Sequence, residues 1–370
     1  MLQISASMAI EDRRKLLLID GGTTLRKFIL LLAAALTFAG TSPAQEAARL
    51  RLIQTIPVPG VQRKWDHFGF DLEKKRFFVT SEEEPAVEVF DLQTNKHTGT
   101  LTDFKEPHNV LTFPELKQIY VVDGGASEIK IFDFDSLKLK GRIPLTIDAD
   151  PVVYDPATKY LYVVNGGRAA KTPYCLVSVV DTRTGKKLTD IKLDTPRLES
   201  MAFENSGKRL FVNMTSANEI GVVDSQQRTL TNTWPISSAK ENAPMQYDET
   251  THRLFVVTRK PSKLVVVNAD TGKEVASIAV ADYVDDLAYD AAHHRLYAIG
   301  GGGQGAISVI EQRDAETYEV VANIPTKPGT KTGKLLPELN RLYVGVPTKE
   351  KQEAQILVFE VASGVAHSPK

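Results

Sequence analysis

From about residue 50 onward, short runs rich in Val, Ile, Phe and Tyr alternate with Gly, Asn, Asp and Pro. No twelve-residue stretch in this region carries a helical period, and β-branched or aromatic runs bounded by turn residues are strand signals. One pattern recurs: a residue that is often basic, an aliphatic or aromatic, an aromatic, then usually Val. It reads Arg76-Phe77-Phe78-Val79, Gln118-Ile119-Tyr120-Val121, Tyr160-Leu161-Tyr162-Val163 and Arg209-Leu210-Phe211-Val212 in the first half. Arg253-Leu254-Phe255-Val256, Arg295-Leu296-Tyr297-Ala298 and Arg341-Leu342-Tyr343-Val344 follow. The aromatics are spaced by 42, 42, 49, 44, 42 and 46 residues. Repeats of ~40–50 residues made of short strands predict a β-propeller, here with seven blades.

Each repeat divides into four strands. A first strand ends in an aromatic or aliphatic and often an acid, as in Phe70-Asp71, Tyr154-Asp155, Tyr247-Asp248 and Tyr289-Asp290. The recurring pattern is the second strand. The third ends at Asp91, Asp133, Asp181, Asp224, Asn268, Glu311 or Glu360, and a turn leads to a more polar fourth. The seventh repeat has only three strands. Gln54-Thr55-Ile56-Pro57-Val58 resembles the fourth strand Ala322-Asn323-Ile324-Pro325-Thr326, so an N-terminal strand is expected to complete the last blade. The fold class is all-β: a seven-bladed propeller of four-stranded antiparallel blades, forming one domain over 45–370.

The segments Leu161–Asn165 (LYVVN), Ile220–Asp224 (IGVVD), Val265–Val280 and Ile119–Asp123 (IYVVD) resemble the YVTN-repeat (YncE-like) exported β-propeller family. The resemblance extends over 49–361. It implies the propeller fold and export, and it says little about activity, since such proteins serve several functions. WD-repeat proteins match less well, because Trp65-Asp66 precedes a first strand and does not end a third.

The one strongly apolar stretch, Phe28–Phe38, follows Arg26-Lys27 and precedes Ser42-Pro43-Ala44. This is the layout of a secretory signal peptide over 1–44, and its core is too short for an ordinary span of about 20 residues. The acids Glu11, Asp12 and Asp20 are foreign to such a leader and suggest a true start downstream. A soluble periplasmic or extracellular protein with no membrane span after cleavage is expected, as a monomer. Lys plus Arg number 45 and Asp plus Glu 46, a balance that argues against nucleic acid as partner. With Cys175 alone, no intrachain disulfide or cysteine-built zinc site can form.

In a propeller, the loops entering the first strands open around the central channel. The equivalent entry positions are Asp66, His108, Asp150, Glu199, Ala243, Asp285 and Lys331, followed by His67, Asn109, Pro151, Ser200, Pro244, Asp286 and Thr332. Asp66, His108, Asp150, Glu199 and Asp285 form a candidate metal set. A carboxylate ring suits a hard cation such as Ca²⁺, and crowded acids raise one another's pKa as acid–base chemistry requires. The competing reading is that these acids simply solvate the strand entrances.

The second-to-third connection is longest in repeats three and seven. It places Arg168 and Lys171, and Lys349, Glu350 and Lys351, where they would form a cationic rim with Arg259, Lys260 and Lys263, or plain solvated surface. Gly300–Gly303 lacks the Lys-Ser/Thr of a phosphate loop and reads as a turn. His293-His294 reads as exposed, Cys175 as packed, and Trp65 and Trp234 as core, with Trp65 placed to stack on a ligand.

The function these features suggest is a non-catalytic binding scaffold, presenting its channel mouth to a small ligand, a cation or a protein. Two alternatives stay open. One is a metal-assisted hydrolase of the lactonase type, since propeller lactonases use inner-strand acids, histidines and often a metal. The other is a partner subunit in periplasmic electron transfer, since the heavy chains of amine dehydrogenases are similar in repeat pattern.

Overall fold

The computed structural model describes residues 50–60 and 62–362. The leader proposed for 1–44 lies outside the described residues. All seven predicted second strands form, starting at Arg76, Gln118, Tyr160, Arg209, Arg253, Arg295 and Arg341. Their aromatics are at most 2% exposed. Each packs within its own blade and onto the next. Tyr162 meets Phe203 at 4.8 Å between centroids, Phe211 meets Tyr247 at 5.6 Å, and Phe255 meets Tyr289 at 5.0 Å. Tyr343 of the last blade meets Phe70 of the first at 5.1 Å, which carries the same contact across the closure. Tilted pairs of this kind add about 0.5–1.5 kcal/mol beyond their area.

The strands form seven four-stranded antiparallel sheets. Blade 1 spans 65–101, blade 2 107–144, blade 3 152–193, blade 4 201–235, blade 5 240–279 and blade 6 284–325. Blade 7 takes 332–361 and adds the N-terminal strand Leu50–Pro57 as its outermost member. That strand pairs with Gln355–Val361 from Leu50↔Val361 to Pro57↔Gln355. The backbone N–H of Val58 donates to the Ala354 carbonyl at 2.9 Å beyond the paired segment. Ile56, Trp65, Phe68, Phe77, Tyr343, Ile356 and Val358 share one buried cluster, so blades 7 and 1 are joined by core as well as by the ladder. Among the described residues no helix is long and apolar enough to cross a membrane.

The recurrent acids at strand ends have a structural role. Asp91, Asp133 and Asp224 each accept backbone N–H bonds from residues two and three positions on, closing the turn to the fourth strand. Between first and second strands Asp71 accepts from the N–H three positions on, and Asp155 and Asp248 from the N–H two positions on. These are Asx-type turns, in which a short carboxylate replaces a missing backbone partner.

Ile56 is 5% exposed and faces Ile356 across the closing ladder. Ile56→Ala is expected to cost about 2–5 kcal/mol, read as a lower midpoint in urea unfolding at unchanged slope. A surface-like effect below about 0.5 kcal/mol would mean that this strand does not close the ring.

Candidate functional site

Four of the seven inner strands do not enter the channel in regular register. Pairing jumps between Trp65 and Phe68, between Pro107 and Asn109, between Asn242 and Met245, and between Val284 and Asp286. Each irregularity falls on the candidate column at 66, 108, 243 and 285. A bulge turns side chains off the ladder, and here it sets consecutive residues at the channel. Asp66 and His67 line it together, as do Asp285 and Asp286. The channel has a volume of about 640 Å³.

Bonds between blades hold the column in place. Thr80 Oγ1 of blade 1 donates to the His108 carbonyl at 2.8 Å, and Asn109 Nδ2 to the Asp150 carbonyl at 2.9 Å. The N–H of Gly333 donates to Asp286 Oδ2 at 2.8 Å, tying blade 6 to blade 7. Gly124 backs the His108 ring so closely that a Cβ there would lie 3.0 Å from Nε2 and 2.7 Å from the Ala149 carbonyl oxygen.

Asp66, His108 and Asp150 come together, with ligand atoms within 4.8 Å of one another, the one such His/Asp/Glu group among the described residues. His108 Nδ1 donates to Asp66 Oδ2 at 2.7 Å and lies 3.7 Å from Asp150 Oδ1. His108 is buried, at 7% exposure, and stands behind the two carboxylates; its Nε2 has no partner. His67 sits among three acids: Asp286 at 3.4 Å, Asp66 at 3.7 Å and Asp150 at 4.0 Å.

The other two members of the candidate metal set are engaged elsewhere. Glu199 accepts from Arg197 Nε at 3.0 Å, and Asp285 pairs with both Arg259 and Lys331. Arg259 also lies 5.0 Å from the Tyr283 ring centre. The mouth is therefore a mosaic of paired charges rather than an open acidic ring.

The pairing sets the protonation states. Burial pushes the Asp66 carboxyl up, but His67, the His108 hydrogen bond and Lys331 outweigh it and hold it at about 2. Burial opposes the His108 imidazolium, yet Asp150 and Asp66 raise it to about 10. His67 is likewise held well above its ordinary value against burial, by Asp66, Asp286 and Asp150. Asp150 is raised to about 7 by burial, with Asp66 and Glu199 adding to the shift and the two histidines opposing it. Burial also lifts Glu199 against Arg197 and Arg259. The donor set at Asp66, His108 and Asp150 could hold a divalent cation once His108 gives up its Nδ1 proton. One imidazole and two carboxylates suit Mn²⁺ or Zn²⁺ better than Ca²⁺, which takes six to eight oxygens.

Several expected features assemble differently. Arg168 is exposed and borders a side cavity of about 270 Å³ shared with Asp150, Arg197 and Glu199; it bonds Ser216 at 3.2 Å. Lys171, Lys349, Glu350 and Lys351 are exposed and do not line the channel. Lys260 pairs with Glu241 at 2.7 Å, so only Arg259 of the anticipated cationic rim reaches the channel wall. Trp65 is 2% exposed and donates to the Val346 carbonyl at 2.7 Å, which removes it as a stacking surface. His293 is half-buried against Asp290 at 2.8 Å, while His294 is exposed. Cys175 is buried, with its thiol raised to about 11 by burial. Sequence reasoning passed over the lining residues Arg197, Glu82, Tyr283 and Lys334. Arg197 and Lys334 lie at fixed offsets from the column and were open to the same counting.

The uncharacterized protein YncE of Salmonella typhi is 26% identical over 179 residues, 48% of this chain and 49% of that one. YncE of Salmonella typhimurium LT2 is 25% identical over the same length. The matched region thus spans about half the length of these curated relatives. Among solved structures, hydrazine synthase of Kuenenia stuttgartiensis superposes with a TM-score of 0.67 at 16% identity, covering 79% of this chain and 95% of that one. The mitotic checkpoint complex gives 0.69 at 13% identity, with 85% and 92% covered. These structures share the fold. No family model matches the chain, so the YVTN-repeat designation gains nothing from that comparison. The relatives and the seven blades fit a YncE-like β-propeller.

The linkage signs are opposite within the cluster. His108 is raised above its ordinary 6.5 to about 10, so its stabilisation is complete below pH 6.5 and is lost as pH rises through 10. Asp66 stabilises above pH 3.8 and loses that contribution as pH falls through about 2. Asp150 is raised, so its ionisation opposes folding increasingly from pH 3.8 to about 7 and fully above. Asp150→Asn is therefore expected to raise the unfolding midpoint at pH 8 and to do little at pH 4. A lower midpoint at pH 8 would contradict this reading of the cluster.

Proposed function

We propose that this YncE-like propeller is an exported binding protein that holds a small, polar, charged ligand at its channel mouth without transforming it. The supporting observation is the channel itself. Side chains from different blades converge on about 640 Å³ and are already locked in pairs. A ligand that replaces one partner of such a pair gains a desolvated, pre-oriented contact. Catalysis asks for something else: a general base needs both access and a pKa near the working pH. His108 is buried behind Asp66 and Asp150, and His67 is kept protonated by three carboxylates, so neither histidine meets both demands. Asp150, on the channel wall and raised to about 7, is the group that does, and it weighs for the second reading below. Export is supported by the leader layout of 1–44.

A second reading, a metal-assisted hydrolase of the lactonase type, is favoured by the Asp66, His108 and Asp150 grouping. A metal there would be held by the His108 imidazole and the two carboxylates, and it would polarise a carbonyl or activate water.

Native mass spectrometry of the purified protein, with a lactone panel assayed in Mn²⁺, Zn²⁺, Ca²⁺ or EDTA, separates the two. The binding reading expects a stoichiometric adduct that Asp66→Asn loses, and no turnover above background. Lactone turnover that requires metal and is abolished in Asp66→Asn would replace it with the hydrolase. A protein free of adducts and indifferent to every metal would sink both.

A further inference from the structure

The channel wall has a second level. Three residues on from the column stand Gly69, Leu111, Val153, Ala202, Gln246, Ala288 and Lys334. At about 3.3 Å per residue this level lies roughly 10 Å further along the inner strands. Lys334 is its one charged residue. Val153, Ala202, Gln246 and Ala288 line the channel with it, together with Phe68, Phe203, Tyr247 and Tyr289. Lys334 lies in the inner strand Thr332–Leu336 of blade 7 and is open to the channel.

Every other cationic side chain on the wall has a carboxylate partner. His67 has Asp286, Arg197 has Glu199, and Arg259 and Lys331 share Asp285. Among the described residues the Lys334 side chain makes no hydrogen bond or ion pair; the nearby carboxylate of Asp286 is taken by the Gly333 N–H and His67. The surrounding wall desolvates the Lys334 ammonium and pulls it below its ordinary value, which Asp286 only partly offsets. The side chain is exposed to the channel and carries no partner, so a counter-anion entering the channel meets an uncompensated charge flanked by an apolar level.

We propose that Lys334 anchors an anion subsite inside the channel, pairing with the carboxylate or phosphate of a small organic anion. The carbon skeleton of that ligand lies against the apolar level, and its polar end reaches the charged mouth. The proposal rests on the reading of the channel as a ligand site and names the charge that ligand carries.

The test is thermal unfolding of the protein with succinate or with inorganic phosphate, at ionic strength held constant with NaCl. Wild type is compared with Lys334→Met and with the surface control Lys349→Met. Succinate or phosphate is expected to raise the wild-type midpoint saturably, on the order of 2–4 °C. Lys349→Met keeps this shift and Lys334→Met loses it. Without added anion, Lys334→Met is expected to unfold cooperatively with a midpoint close to that of wild type. This checks that the variant folds. A response to succinate alone assigns the subsite to carboxylates, and a response to phosphate alone assigns it to phosphate esters. Equal shifts in wild type and Lys334→Met overturn the subsite and leave the channel reading standing. No shift in wild type with either anion overturns the subsite as well, and the adduct measurement then decides the channel reading separately.

Discussion

The closing ladder between Leu50–Pro57 and Gln355–Val361 is the constraint on which the rest of the molecule depends. A blade in a ring is positioned from both sides, and no blade of this chain owns the channel. Asp66 comes from blade 1, His108 from blade 2, Asp150 from blade 3 and Asp286 from blade 6, yet they meet within a few ångströms. Blades 1 to 3 are sequential neighbours, but Asp286 of blade 6 reaches His67 of blade 1 only when the seventh blade has docked on the first through Tyr343 and Phe70. The site is a property of the closed ring, refined by the bulges at its strand entrances.

Within that ring the governing term is charge pairing. Burying carboxylates side by side is unfavourable unless cations are interleaved. The chain supplies them from alternate positions: His67 beside Asp66, Arg197 beside Glu199, and Lys331 and Arg259 beside Asp285. Asp150 is the least compensated of the acids and Lys334 the least compensated of the cations, since both shifts disfavour the charged form. These two residues are where an incoming ligand has most to offer, a positive group or metal at one and an anion at the other.

The sequence made the architecture plain because strand period, turn residues and a 42–49-residue repeat all point the same way. The column from Asp66 to Lys331 was legible by the same counting. Its internal partnerships were not. Whether Asp285 faces a metal or Arg259 depends on a bulge of one or two residues, and the ladder breaks at Val284/Asp286 leave no mark in composition. Trp65 shows the converse failure: adjacency to Asp66 along the chain suggested the channel, but the alternation of the strand sends the indole into the junction between blades 7 and 1, to the Val346 carbonyl. Long loops misled in a related way, because length in repeats three and seven marks where the surface was extended and does not say in which direction its lysines point.

Ring closure also has a temporal side. Arg51 and Glu360 pair across 309 positions. Loop-closure entropy grows only logarithmically, so joining such distant segments costs roughly 2 kcal/mol more than joining neighbours one repeat apart. Equilibrium barely registers the distance, whereas the order of events does. The strand needed to finish the last blade is the first of the propeller to be made, and it waits until the other blades have been synthesised. During that interval the Leu50–Pro57 strand has no partner and the face of Phe70 has no Tyr343. The molecule's exposure to misassembly thus lasts through the synthesis of the other blades, and it ends when one eight-residue strand finds its place.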